Sequence, residues 1–265
     1  MCDLSSNFGS YICYDEKNTR VLNTIDNTFR MEALNLGAVE YHIPAMIDKE
    51  VLERCGYFTS FPHHLTVAAH ANHESYKLII DEKTMTSDTA TISQQYFTPA
   101  ACLHVYPMLE NQEIAQKLIT TKARVYRYED ARFDGSTRLW DFTVREIVFV
   151  GTLEYVTTSL EYMNKWALSY ADQIGLHVYV ASANDNFYPT KKNAIKQRLQ
   201  LSNSLKFELV VEVNGNPLAI SSFNFHDTHF SKSFNFDNDG KIVTGCVGFG
   251  LERWVAAIKH HGIEL

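Results

Sequence analysis

The chain has 265 residues, 45% of them hydrophobic and 21% charged, enough for one large domain or two small ones with a core that needs no staples. Its 24 basic and 31 acidic residues leave a net charge of −7, which argues against a broad surface for gripping polyphosphate backbones. No uninterrupted apolar run reaches the roughly 18 residues that a membrane span requires.

The first residues, from Met1 to Asn7, carry no basic head and no apolar run, so no secretory signal is expected. Five cysteines, at 2, 13, 55, 102 and 246, are odd in number and widely spaced. That pattern fits a reducing cytoplasm better than a disulfide framework. No repeat, low-complexity tract or Pro/Gly/Ser linker divides the chain. The expected organisation is an N-terminal arm over 1–22 and a single domain over 23–265.

In chain order, residues 23–36 predict a helix with Ile25, Phe29 and Leu36 available for one face and Gly37 as its stop. Asp48 is placed to cap a second helix through Cys55. Residues 123–129 and 139–150 are rich in β-branched and aromatic side chains and predict a long hairpin. Over 152–174, Leu153, Val156, Leu160, Met163, Ala167, Tyr170 and Ile174 recur at spacings of three and four, one apolar stripe of a helix that Gly175 ends. The stripe reads as core. Residues 176–182 predict a strand, and Thr190 to Leu199 a helix carrying Lys191, Lys192, Lys196 and Arg198. Residues 206–213 and 217–225 predict a second hairpin across Asn214-Gly215-Asn216. A strand at 241–247 and a helix at 250–261 complete the set. Strands joined by hairpins, without a helix between most of them, predict an α+β fold: an antiparallel sheet flanked by helices.

Alternate residues of a strand share a face. Arg127 and Glu129 therefore share one on the first strand of the long hairpin, and Phe142, Val144 and Glu146 share one on the second. A guanidinium fork suits phosphate oxygens, a carboxylate can accept from an adenine amino group, and an aromatic face can stack on a purine. A cross-strand salt bridge beside a packed phenylalanine explains the same residues. The segment Gly245-Cys246-Val247-Gly248-Phe249-Gly250-Leu251-Glu252-Arg253 runs from a strand through glycines into a helix. Glycines let a ligand approach the backbone, and Arg253 falls in the first helical turn, where the dipole favours phosphate.

Taken together, Tyr126-Arg127-Tyr128-Glu129 with Phe142 and Glu146 resembles motif 2 of the class II aminoacyl-tRNA synthetases. Gly248-Phe249-Gly250-Leu251-Glu252-Arg253 resembles motif 3. The likeness is to the seryl-type catalytic core, and within it to the amino acid:[carrier protein] ligases, which keep that core and lack the tRNA-binding arm. It spans about residues 35–260, and Thr98-Pro99-Ala100-Ala101-Cys102 and the segment from Ile220 to His226 fit the same subgroup. The resemblance implies a class II synthetase-like catalytic domain that pairs as a homodimer through a motif 1 region around residues 85–105.

It also implies roles. Arg127 would hold the α-phosphate of ATP and the substrate carboxylate, Glu129 the adenine, and Phe142 would stack on the base. Arg253 would bind the γ-phosphate and cover the purine from the other side. Ala219 stands where seryl-type enzymes usually carry a magnesium-binding glutamate, which leaves Mg2+ at the triphosphate to Ser222 and Glu208. Glu208 and Asn224 fall where the amino acid would bind. Cys102, Glu146 and Cys246 carry no CxxC or HxxxH spacing, and a single buried cysteine is commonly a small core residue. In this subgroup and in the zinc-containing seryl synthetases, however, residues at these places form a Cys/Glu/Cys zinc site. Three protein ligands leave a fourth position open, which a substrate amine can fill. The histidines at 63, 64, 70, 73, 260 and 261 read as structural or surface residues, and His226 and His229 as weaker candidates for polar contacts.

The function implied is ATP-dependent activation of a small amino acid, glycine or alanine favoured, followed by transfer to the phosphopantetheine thiol of a carrier protein. The basic helix at Lys191, Lys192, Lys196 and Arg198 would dock that acidic partner, a solvated helix face being the alternative. A non-catalytic paralogue sensing amino acid or nucleotide, and a tRNA-charging enzyme with a separate partner, are the other readings.

Overall fold

The computed structural model describes residues 6–7, 12–128, 134, 136–203, 205–236 and 239–265. The elements in chain order are β1 (Ser6–Asn7), β2 (Ile12–Cys13), α1 (Glu16–Asn35), β3 (Val39–Tyr41), β4 (Met46–Asp48), α2 (Lys49–Arg54), α3 (Tyr57–Ser60), β5 (Val67–Ala71), α4 (Tyr76–Glu82) and β6 (Ala90–Phe97). There follow a 3-10 turn (Ala101–His104), α5 (Val105–Met108), β7 (Lys117–Tyr126), β8 (Asp141–Gly151), α6 (Leu153–Gln173), β9 (Val178–Ser182), α7 (Lys191–Ser202), β10 (Lys206–Val213), β11 (Asn216–Asp227), α8 (His229–Ser233), β12 (Val243–Gly250) and α9 (Leu251–His260).

Among the described residues, the central sheet runs β3-β7-β8-β12-β11-β10-β9. It is antiparallel throughout except at its edge, where β3 lies parallel to β7. A smaller antiparallel layer, β4-β6-β5, stands apart from it. The expected antiparallel sheet with flanking helices is the architecture found. The long helix starts earlier than its apolar pattern suggested. Asp15 caps it by accepting from the Asn18 backbone N–H at 2.8 Å, so residues 16–22 of the expected arm belong to α1. Thr152 and Thr190 cap α6 and α7 in the same way. The Asn214-Gly215 pair takes positive φ angles of 54° and 74°, which the turn between β10 and β11 needs and which matches the twist of its strands.

Helices α1, α6 and α9 cover one face of the sheet. Phe29 of α1 sits at the centre of that layer, stacked on Phe249 at 4.0 Å between ring centroids and edge-on to Trp254, Tyr170 and Trp166. Val156, Met163 and Ala167 of α6 are fully buried there, while Leu153 at the helix start is exposed. Burying one such aromatic side chain stabilises by about 1.5–3 kcal/mol. A side chain at Gly245 would meet Leu160 and Val156 of α6 at 2.9 Å and the Asn224 carbonyl at 3.0 Å. This glycine therefore serves helix packing, whereas Gly248, three residues on, faces the other side of the sheet.

Arg145, at 2% exposure, points into the helix layer and forks onto Asp26 of α1 at 2.7 and 3.2 Å. Its third nitrogen reaches Glu40 of β3 at 2.8 Å, and Arg30 and Lys122 complete the network. Glu252 of α9 accepts from the backbone N–H and hydroxyl of Thr143 at 2.7 and 2.8 Å, tying α9 to β8. The opposite face of the sheet is covered at the β7 and β8 side by α2, α3, α5 and α8, through Leu52, Tyr106, Val148, Val150, Phe230 and Phe234. The remainder of that face carries the polar side chains considered next. Among the described residues no helix is long and apolar enough to cross a membrane.

Candidate active site

Strand alternation sorts the polar residues. On β8, Phe142, Val144, Glu146 and Val148 turn away from the helix layer, and on β12 Cys246, Gly248 and Gly250 do the same. Register brings Gly248 opposite Glu146 on one side and Ser222 on the other, with Glu208 beyond Ser222. In the next row Cys246 stands between Val148 and Asn224, with Lys206 beyond. A Cβ on Gly248 would lie 3.4 Å from Ser222 Oγ and 3.7 Å from a Glu146 carboxylate oxygen. The glycine thus keeps a floor clear between these groups.

Cys102, in the 3-10 turn after β6, approaches this floor from above. Its backbone N–H donates to the Glu146 carboxylate. The ligand atoms of Cys102, Glu146 and Cys246 all lie within 4.8 Å of one another, and all three residues are buried. Burial, reinforced by the charge of Cys246, pushes the Glu146 carboxyl up to about 8. A hydrogen bond between the two thiols, together with burial, raises Cys102 well above the ordinary thiol range. The same bond holds Cys246 well below it against burial, helped by His226 and Asn224. Two thiols and a carboxylate packed out of water repel one another when ionised, and a divalent cation relieves that repulsion. The donor set fits a metal ion.

Arg127 lies just past the end of β7. Its backbone N–H donates to the Trp140 carbonyl at 2.8 Å, its Nε donates to the Pro99 carbonyl at 2.8 Å, and its guanidinium carbon stands 5.5 Å from the centre of the Phe142 ring. Arg253 is anchored by Nε to the Thr137 carbonyl and by a terminal nitrogen to the Ala219 carbonyl, both at 2.9 Å. Arg253 and Phe142 line one small cavity with Thr137, Leu139, Gly250 and Glu252. The phenylalanine therefore bridges the two arginines at one end of the sheet.

Glu129 lies outside the described residues. Glu208 pairs with Lys206 at 3.2 Å, and Lys206 also binds Asp185 at 2.8 Å. Burial works against the Lys206 ammonium, but Asp185 and Glu208 outweigh it and hold its pKa above the ordinary value. The sequence reading missed this triad, because Asp185 lies in a loop with no motif around it. The Asn224 amide donates to Ser222 Oγ at 3.2 Å and to Cys246 Sγ at 3.6 Å, which places it beside the thiol. On α7, Lys191, Lys192 and Arg198 are exposed, but Lys196 turns inward, donating to Ser60 Oγ at 2.8 Å and lying 6.0 Å from the Phe187 ring centre. The outward basic patch is thus three residues. It continues into Ile195 and Leu199, which are also exposed.

No family model matches the chain. Curated relatives do. It is 30% identical over 244 residues to amino acid--[acyl-carrier-protein] ligase 1 of Bradyrhizobium diazoefficiens, covering 86% of this chain and 73% of that protein. To ligase 2 of the same organism it is 31% identical over 237 residues, covering 84% and 70%. The chain belongs to the amino acid--[acyl-carrier-protein] ligase family. The ligase is more distantly similar to the type-2 serine--tRNA ligase of Methanococcus maripaludis strain C6, 27% identical over 184 residues, which cover 65% of this chain and 35% of that one. Among solved structures its fold matches the M. kandleri seryl-tRNA synthetase crystallised with A. aeolicus tRNASec, at a TM-score of 0.83 and 19% identity. That superposition takes in 98% of the ligase and 55% of the synthetase, so this chain spans about half the length of that protein.

Proposed function

We propose that the chain joins a small amino acid to ATP as an aminoacyl-adenylate and passes the acyl group to the phosphopantetheine thiol of a carrier protein. One observation carries this reading: Phe142 lies beside Arg127 and shares a cavity with Arg253, at the end of the same sheet face whose next rows hold Glu146 and Cys246, with Cys102 set over them. On this reading a nucleotide site and an amine site would adjoin. Zinc, held by those three residues, would supply a Lewis-acid position for the neutral amine of the substrate. Arg127, at the end of the same sheet face, would then receive the substrate carboxylate.

Arg127 would steady the carboxylate against the α-phosphorus and neutralise the charge that builds as pyrophosphate leaves. Phe142 and Arg253 would hold the purine between them, and Mg2+ would accompany the triphosphate near Ser222 and Glu208. The carrier thiol would then lose its proton to solvent, its sulfur attack the acyl carbon, and AMP depart with the breaking of the acyl–phosphate bond. All three ligands are buried, so a small substrate, glycine or alanine, is the favoured occupant of the open fourth position. ATP–pyrophosphate exchange across a panel of amino acids tests the first step, and thioester formation on a phosphopantetheinylated carrier tests the second. A protein that shows no exchange with any amino acid is a sensor, and one that charges total tRNA but no carrier is a tRNA ligase.

Docking of an acidic carrier is assigned to Lys191, Lys192 and Arg198 with the apolar Ile195 and Leu199. Reversing Lys191 and Lys192 to glutamate is expected to slow thioester formation about tenfold while exchange stays at the wild-type rate. An equal fall in both assays would rule the helix out as a docking surface.

A second copy is the proposed cover for the layer formed by β4, β5, β6 and α4. Thr89 is the only buried residue between 67 and 97, and Ile80 and Ile92 are 71% and 66% exposed. Ile47 of β4 and Tyr96 of β6 pack on the core, but most of β5, α4 and β6 does not, and a sheet that buries so little is marginal by itself. Sedimentation equilibrium at micromolar concentration is expected to give a dimer, and a monomer there removes the pairing.

A further inference from the structure

Cys246 is approached from β11 by a side chain that no catalytic role uses. His226 places Nε2 at 3.7 Å from Cys246 Sγ, while its Nδ1 lies 3.3 Å from Tyr106 Oη and 3.3 Å from Thr244 Oγ1. The backbone is shaped for this contact. The β11–β12 register slips between Phe225 and Asp227, so His226 is the extra residue of a bulge, and Asp227 after it takes a φ of 52°. Bulges re-aim side chains next to sites. Here the ring spans Thr244 and Cys246, successive residues on the site face of β12.

Tyr106 gives the arrangement its direction. It is fully buried, stacked on Phe230 at 3.9 Å between centroids, and sits four residues after Cys102. A buried phenol needs a partner for its proton, and the one within reach is Nδ1 of His226. With Nδ1 accepting, the neutral imidazole carries its proton on Nε2, the nitrogen that faces sulfur.

We propose that His226 is a positioning residue for the metal site: held in one tautomer by Tyr106 and Thr244, it donates Nε2–H to Cys246 Sγ and aims that sulfur at the metal. The inference rests on the Cys102/Glu146/Cys246 reading above. It adds a link between the segment carrying Cys102 and the strand carrying Cys246, since Tyr106 follows the first and Thr244 precedes the second. Partners of metal ligands commonly set affinity within a 10–100-fold range.

The test uses the whole chain and Co2+ or Zn2+ alone. His226→Phe keeps the ring and removes the donor, and His226→Gln returns an amide N–H near the place of Nε2. Zn2+ affinity, read by chelator competition, is expected to fall about tenfold or more in His226→Phe and to recover in His226→Gln. In the Co2+ form, the thiolate-to-cobalt charge-transfer band is expected to move to lower energy in His226→Phe, because a sulfur without that hydrogen bond gives up its electrons more readily. Wild-type affinity with an unmoved band in His226→Phe overturns the role and leaves the site reading standing. A wild-type chain without a thiolate-to-cobalt band, or a Cys246→Ser chain that keeps it at full intensity, removes the site and this role together. If His226→Phe does not fold, Thr244→Val is read instead: a smaller shift in the same direction supports the relay, and no shift overturns it.

Discussion

Cys246→Ser is expected to strip the purified protein of zinc and to lower amino-acid-dependent pyrophosphate exchange by roughly two orders of magnitude or more. Charge is the cause. Cys246 is the thiol whose ionisation the site favours, through its bond with Cys102 and through His226 and Asn224. Serine keeps the volume, but its hydroxyl does not ionise near neutral pH, so one of three anionic ligands is lost. Cys55 is the control. It is also buried, but burial pushes its thiol up to about 12, and it stands outside the three-donor cluster. Cys55→Ala is therefore expected to retain the metal, by elemental analysis, and the exchange activity. Full zinc and full exchange in Cys246→Ser would dispose of the metal site.

Arg127→Ala is expected to lower exchange about 10²–10³-fold, the usual cost of removing a donor that meets charge developing in a transition state. The guanidinium is preorganised: its Nε is tied to the Pro99 carbonyl, and Phe142 packs against it. Preorganisation means that little motion is needed when the phosphate charge appears. Arg127→Lys keeps the charge but loses the fork and the Pro99 anchor, so it is expected to recover only a small part of the loss. Metal content should be unchanged in both variants, which separates this effect from that of Cys246→Ser. A loss below about tenfold in Arg127→Ala would take the residue out of the proposed chemistry.

The hairpins, the amphipathic α6 and the glycine-rich entry to α9 were legible because each rests on a local period or a turn dipeptide. Parity along β8 was enough to put Phe142 and Glu146 on one face. Three things had no such signature. The parallel edge strand β3 is three residues long, and its pairing with β7 is a tertiary contact. The layer of β4, β5 and β6 mixes polar and apolar residues because most of its surface is exposed, which leaves no alternation to read. Arg145 occupies an inward position on a strand whose neighbours there are apolar, and only the fold supplies Asp26 and Glu40 to receive it. At the site, His226 drew attention for its place on the strand, but a bulge and a tyrosine from another segment had to be known before its link to Cys246 could be seen. Lys196 shows the reverse: it belongs to a basic run by composition, and the fold spends it on Ser60.

The adjacency of Arg145 and Glu146 carries a consequence for how such a chain can vary over time. One residue braces the helix layer and the next faces the metal donors. Inserting or deleting a single amino acid within β8 would reverse both at once, turning a guanidinium toward the thiols and a carboxylate toward Asp26 and Glu40. Length changes in this strand are thus excluded more strictly than most substitutions, and family members should differ in loop lengths while keeping this stretch without gaps.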